Sequence, residues 1–248
     1  MGNGRLVKMT DEEYFKPGCV SSTFLKTCAL QSLAHAKADE EIPRKPTPQM
    51  ALGSALHARV LEPDVYEKKW ANSVLFTGKN DTAEGRARDL AGMVASLKEH
   101  PVASELLFGE GPTEQVILWE ESGLECRAKI DKIAGHDLID LKSAADASKR
   151  GFEGATFRNY RYDIQAAWYS RGARAAGIDV ARFLFVVVES KPPYPCAVYA
   201  IDAAAVDHAD DEIDRILPRI ATARSSGTWP AYSTVVETLY LPAWMAGD

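Results

Sequence analysis

Between residues 113 and 143 the chain changes its hydrophobic period. Much of the flanking sequence spaces its apolar residues as helices do, but TEQVILWE, LECRAKIDKI and HDLIDLKS read as three short strands in succession. The separators, ESG and AG, are turn-like. Gly135-His136 predicts a two-residue type II′ turn with glycine first. That turn sets Ala134 opposite Asp137, and the same register sets Asp131 opposite Asp140 and Lys129 opposite Lys142. A different loop length would shift every pair by one residue. Residues two apart on a strand share a face, so Asp140 and Lys142 project together while Ile139 and Leu141 enter the core.

The rest of the chain fits around this hairpin. GCVSSTFLKTCALQSLAHAKA reads as one helix with Ser21 and Ser22 as caps, and the charged, proline-bearing DEEIPRKPTPQ as a loop or exposed arm. ALGSALHARVLE is a helix that Pro63 ends or restarts, and DTAEGRARDLAGMVASLKEH is helical in composition. After the hairpin come a helix closed by Gly177, an apolar central strand in VARFLFVVVES, a strand in CAVYAID, and a helix from near Asp207 that Pro218 should kink or end. The tail TWPAYSTVVETLYLPAWMAGD is aromatic and should pack across the surface. This order predicts an α/β chain with a central mixed β-sheet flanked by helices. Its length of 248 residues suits one domain: an N-terminal helix and arm over 1–50, a core over 51–200, and a C-terminal helix and packing tail over 201–248.

Composition removes several function classes. There is no G-x-G-x-x-G fingerprint and no G-K-[ST] phosphate loop. The four cysteines, Cys19, Cys28, Cys126 and Cys196, have neither C-x-x-C nor clustered spacing, which speaks against a zinc knuckle, a disulfide framework and an iron-sulfur cluster. No apolar run is long enough to span a membrane, and the start MGNGRLVKMTDEEYF lacks a signal-peptide core, so a cytoplasmic protein is expected. The net charge of −6 disfavours a generally basic nucleic-acid surface but allows a local basic lining.

Two facing carboxylates repel unless a cation sits between them. Oxygen ligands suit Mg²⁺ or Mn²⁺, which can polarise a phosphate and acidify a water. Lys142 would orient that water or stabilise charge on the phosphoryl oxygens, a group fit for phosphodiester hydrolysis. The same three residues would also serve as a solvated ion pair on a half-exposed sheet. His57, one turn after Gly53 on a helix, offers a nitrogen ligand, and glycine there permits close approach of another backbone. Glu62 lies at that helix's end and Glu114 at the start of the first strand, both as supporting acids or as ordinary surface groups. Gln165 and Tyr169 share a helix face able to meet a phosphate or base. Arg158, Arg161, Arg171 and Arg174 flank it as a basic surface or as solvated side chains.

Taken together, KPTPQMALGSALHARVLEP, TEQVILW, RAKIDKI, LIDLKSAADAS and YRYDIQAAWYSRG, in this order over roughly residues 20 to 190, resemble the PD-(D/E)xK nuclease superfamily. Within it the chain resembles the RecE-type phage and prophage exodeoxyribonucleases, the nuclease domain of exonuclease VIII. The resemblance implies a restriction-endonuclease-like core. It makes Asp131 and Asp140 metal-binding acids, Lys142 the catalytic lysine, His57 and the Leu141 carbonyl further ligands, and Gln165 and Tyr169 the Q-x-x-x-Y helix motif beside DNA. Ile130 stands where the superfamily name has proline. The implied activity is Mg²⁺-dependent degradation of linear duplex DNA from its ends, 5′ to 3′, with Mn²⁺ able to substitute. The implied partners are double-stranded DNA ends, other copies of the chain in a ring, and a single-strand annealing protein. A nuclease of the other polarity, an endonuclease of the same superfamily, or a non-catalytic DNA-binding subunit are the alternatives.

Overall fold

A computed structural model describes residues 3–42, 46–77 and 81–241. Its centre is a six-stranded sheet in the order β1 (Arg5–Val7), β2 (Thr113–Glu121), β3 (Leu124–Ala134), β4 (Asp137–Ala144), β5 (Arg182–Glu189), β6 (Cys196–Ala200). Neighbouring strands are antiparallel except β4 and β5, which run parallel and need a crossover. Among the described residues, eight helices precede the hairpin: α1 (Asp11–Tyr14), α2 (Ser22–Leu30), α3 (Leu33–Glu41), α4 (Pro48–Leu61), α5 (Pro63–Lys69), α6 (Val74–Thr77), α7 (Asp81–Glu99) and α8 (Pro101–Phe108). The β4–β5 crossover holds α9 (Lys149–Gly154), a π-helical turn over Ala155–Asn159, and α10 (Tyr162–Ala175), while α11 (Ala203–Ser226) follows the last strand.

The expected hairpin forms with the expected turn. Ala134 pairs with Asp137, and Gly135 takes a positive φ of 58° that His136 does not share, as a type II′ turn requires. The sheet separates two cores. On one face Ile117, Ala128, Ile130, Leu138 and Phe185 pack against α2, α3, α10 and α11. On the other Ile139, Leu141, Leu184 and Val186 pack against α4, α7 and α8. Trp168 of α10 is fully buried, and its indole N–H donates to the Arg127 carbonyl at 3.0 Å, so its apolar area is buried with its one donor satisfied.

Five expectations change. The first helix is two: α2 ends at Leu30, and Ser32 caps a new helix by accepting from the His35 amide. The charged residues Asp39–Glu41 close that second helix, and residues 43–45 of the expected arm lie outside the described residues. β1, from the N-terminal segment, adds a strand to the sheet. α11 begins four residues before Asp207 and runs through Pro218, because the proline and Asp214, whose carbonyl loses its partner, are exposed, while Ile213, Ile216, Leu217 and Ile220 hold the other face in the core. Of the tail, Trp229 packs against Phe24 and Tyr232 against His35, but Val235, Val236, Leu239 and Tyr240 stand exposed, and residues 242–248 lie outside the described residues.

Candidate active site

The β3–β4 ladder forks where the acids lie. Its last pair is Lys132–Ile139, after which β4 stays paired only with β5. Asp131 and Asp140 are next in register, but no backbone pairing joins them. Instead Asp131 Oδ2 accepts the Leu141 amide at 2.8 Å. β3 is irregular at the same point. Ile130 and Ile133 both belong to the core under α10, so the in-out alternation slips by one across Asp131. Opposite, Glu114 has a positive φ of 50° and drops out of the ladder, which runs from Thr113–Lys132 directly to Gln115–Ile130. A local break in pairing of this kind re-aims side chains. Here it brings Glu114 toward Asp131.

Helix α4 closes the fork from one side. Thr47 caps it and Pro48 starts it, and His57 reaches Asp131 Oδ2 with Nδ1 at 3.4 Å. Donor atoms of His57, Glu114 and Asp131 all lie within 4.8 Å of one another. Gly53 sits beside a side chain rather than a backbone: a Cβ there would stand 3.4 Å from Ser143 Oγ. Glu62 is half-buried at the junction of α4 and α5 and does not join the trio.

The other side of the fork is built from α2 and α10. Asp140 is buried; its Oδ1 accepts from Gln165 Nε2 at 2.5 Å and its Oδ2 faces the Lys142 ammonium in close contact, so the expected sharing of a face by Asp140 and Lys142 is seen. Lys129 does not face Lys142 but pairs with Glu114 at 2.7 Å. Tyr169 is buried against Phe183, and burial holds its hydroxyl well above the usual phenol range, next to the fields of Asp140 and Asp131. Sequence reasoning passed over Lys26 of α2, whose ammonium donates to Gln165 Oε1 at 3.3 Å and, with Lys142, flanks the Tyr162 ring at 5.3 and 4.8 Å from its centroid. A lysine in a helix carries no signal of such a place.

The electrostatics of this cluster favour a cation. Burial, then repulsion from Asp140, raises the Asp131 carboxyl far above the usual range. Burial, then Asp131, pushes Glu114 up to about 7. Burial lowers His57, leaving a neutral imidazole with a lone pair to give. Burial would lower Lys142 too, but Asp140 and Asp131 outweigh it and hold the ammonium charged. Two crowded carboxylic acids and a neutral imidazole form a donor set that suits a divalent ion taking oxygen and nitrogen ligands, and binding one would relieve the repulsion.

Two of the four flanking arginines are not available to a ligand. Arg161 is clamped between Asp163 and Glu212, and Arg171 among Glu121, Asp210 and Asp214, tying α10 to α11 and β2. Arg158 and Arg174 remain exposed.

A mixed sheet flanked by helices, with an acid pair and a lysine at the fork of its central hairpin, defines the PD-(D/E)xK class of fold. Residues 21–241 match the model of the family described as PDDEXK-like domain of unknown function, and the chain belongs to that family. The crystal structure of a protein named "Putative exonuclease", from Eubacterium rectale, is 17% identical and superimposes with a TM-score of 0.72, covering 98% of this chain and all of that one (100%). At that identity the likeness is one of fold. The structure of SSO0001, 16% identical over 84% of this chain and 78% of that one, has a TM-score of only 0.35 and supports no argument. No curated relative matches the chain. Among the described residues no helix is long and apolar enough to cross a membrane.

Proposed function

We propose that the chain is a divalent-metal-dependent exodeoxyribonuclease that hydrolyses phosphodiester bonds at the ends of linear duplex DNA, 5′ to 3′. The observation that carries this reading is the fork itself, where donor atoms of His57, Glu114 and Asp131 lie within 4.8 Å of one another and Asp140 holds a charged, half-buried Lys142 beside them. The residues suited to hold Mg²⁺, or Mn²⁺ in its place, are Asp131, Asp140, His57 and the Leu141 carbonyl, with Glu114 completing the trio beside them. Such an ion, when bound, polarises the phosphate and acidifies a water.

The chain's own groups supply the rest. Lys142 is fixed by Asp140 and backed by the Tyr162 ring, so its ammonium is oriented to hold the attacking water or offset charge on the phosphoryl oxygens. Gln165 holds Asp140 in one rotamer. Tyr169 stays a neutral hydroxyl that can donate. His57 stays neutral and keeps a nitrogen free of a proton.

Exonuclease action is supported by the name of the Eubacterium rectale neighbour, and the 5′ to 3′ polarity by the resemblance to the RecE-type group. The same resemblance supports a ring of like copies, a single-strand annealing partner for the 3′ strand produced, and a cytoplasmic place of work. The test is digestion of end-labelled linear duplex and of closed circular duplex, with Mg²⁺ and with EDTA. Metal-dependent release of the 5′ label with the circle untouched is the expected result. Cleavage of the circle would make the chain an endonuclease, release from the 3′ end would reverse the polarity, and no cleavage at all would overturn the nuclease reading.

A further inference from the structure

We propose that the exposed ring of Tyr160 is a stacking platform for a nucleobase of the DNA strand being cut, held at a fixed distance from Lys142 by the rings beneath it. The proposal rests on the nuclease reading and extends it to the way the strand is presented. Four aromatic rings form a column from the core to the surface. Tyr199 stacks on Phe152 at 5.6 Å and 15°, Phe152 on Tyr162 at 5.9 Å and 29°, and Tyr162 on Tyr160 at 5.4 Å and 22°. Phe152 is buried at 4% exposure, whereas Tyr160 ends the column at 56%. A base laid on Tyr160 would extend a stack that is already parallel and anchored.

The column also touches the chemistry. Tyr162 is the ring against which the Lys142 ammonium rests, 4.8 Å from the centroid. The two spacings together put Tyr160 within about 10 Å of that ammonium, a reach of about three stacked nucleotides at a rise of 3.4 Å per nucleotide. A base on Tyr160 is thus within reach of the strand whose phosphate lies at Lys142.

Backbone and charge point the same way. Tyr160 follows a π-helical turn and precedes Arg161, whose φ of 48° is left-handed for a residue with a side chain. Such geometry persists where surrounding contacts enforce it and concentrates at functional sites. Here Arg161 is enforced by Asp163 at 3.0 Å and Glu212 at 2.5 Å. Arg161 is taken by Asp163 and Glu212, and Lys149 lies 3.8 Å from Glu153, but Arg150 and Arg158 add positive charge to the segment that leads to Tyr160, in a chain of net charge −6. Lys149, Arg150 and Arg158 are exposed, as is the Phe157 ring at 43%. Exposed rings interleaved with cations suit a polyanion with π faces, and base stacking tolerates any sequence, as an enzyme working along DNA requires.

The test uses the full chain with the cleavage-blocking substitution Lys142→Gln, with Mg²⁺ present, and a duplex carrying 2-aminopurine at its terminal nucleotides. Binding is followed by anisotropy and stacking by quenching of 2-aminopurine. Adding Tyr160→Ala should weaken binding roughly tenfold, the effect of losing one base stack, and relieve the quench, while Tyr160→Trp restores both. Unchanged thermal unfolding of the Tyr160 variants checks the fold. In the otherwise unaltered enzyme, Tyr160→Ala should lower kcat/KM on linear duplex by a similar factor, and Tyr160→Trp should rescue it. Binding and quench that are the same in Tyr160→Ala as with Tyr160 in place overturn the platform and leave the nuclease reading standing. Failure of the chain with Tyr160 intact to bind the duplex, together with failure of the unaltered chain to cleave it, overturns both.

Discussion

The Asp131 carboxylate accepts the Leu141 amide at 2.8 Å, so a side chain stands where the next rung of the β3–β4 ladder would be. The same oxygen lies 3.4 Å from His57 Nδ1. Asp131 thus satisfies a buried peptide N–H and, in the proposed reaction, would also offer a ligand. Asp131→Asn keeps an acceptor for Leu141 and removes the charge, whereas Asp131→Ala leaves that N–H orphaned. We expect both to lose Mg²⁺-dependent cleavage, but only Asp131→Ala to lose about 1–3 kcal/mol of stability. Denaturant unfolding of the two variants in EDTA checks this, and equal stabilities would show the hydrogen bond to be unimportant.

Asp140→Ala and, separately, Lys142→Ala should abolish cleavage with the fold largely retained. Lys142 is argued to act on charge at the reacting phosphate, and loss of one such donor costs roughly 10²–10³-fold in kcat. Each substitution strands a charge, Asp140→Ala the half-buried ammonium together with the Gln165 amide and Lys142→Ala the more deeply buried carboxylate, so both unfolding midpoints should drop. Single-turnover cleavage and thermal melts of both variants decide it. Undiminished activity in either would remove that residue from the machinery.

The metal-free protein should lose stability as pH rises. Folding raises the Asp131 carboxyl above its ordinary value and Glu114 from 4.5 to about 7, so the folded state favours their protonated forms. Groups with raised folded values contribute stability that is complete below the unfolded value and is lost as pH rises through the folded one. His57 is shifted down from 6.5 and acts in the opposite sense, losing its contribution as pH falls below that value. Above pH 6.5 the pH dependence from the histidine fades, and Lys26, which burial lowers to about 8, titrates only at the top of the range, so the acids dominate between there and roughly pH 8. Melts in EDTA across that window should fall, Glu114→Gln should flatten the fall, and Mg²⁺ should stabilise more at the upper end, where the ligands are ionised. A flat profile would mean that these acids are not crowded in solution.

Lys26 should act through Gln165. Its ammonium donates to Oε1 while Nε2 of the same amide donates to Asp140, so one side chain fixes which way the amide points. Lys26→Met keeps the packed stem and removes the donor. We expect kcat to fall by about tenfold, the scale of one lost hydrogen bond of ~1 kcal/mol or slightly more, with KM little changed. A rise in KM at constant kcat would show instead that Lys26 binds DNA directly.

How much of this was legible in the sequence depends on the range of the interaction. The hairpin was, because alternation with period two and a glycine-led two-residue turn act over a handful of residues and fix the relative places of Asp131, Asp140 and Lys142 at once. The close of α10 at Gly177 was legible for the same reason, as its positive φ of 79° is a local demand. The course of α11 was not: Pro218 is a local stop signal, and only burial of the residues around it shows why the helix continues.

By itself, then, the sequence placed Asp131 and Asp140 at facing positions on the two arms of one hairpin, with Lys142 on the same face as Asp140, since strand geometry ties neighbours on a hairpin together. Only the tertiary structure decided that Glu114 comes within ligand distance of His57 and Asp131, that Arg161 and Arg171 are taken by α11 rather than left for DNA, and that Lys26 and Tyr162 surround Lys142. Those pairings join residues up to 139 positions apart, as Lys26 and Gln165 show, and no spacing rule reaches that far. They are settled when helices bury their apolar faces on the two sides of the sheet and carry their polar side chains with them.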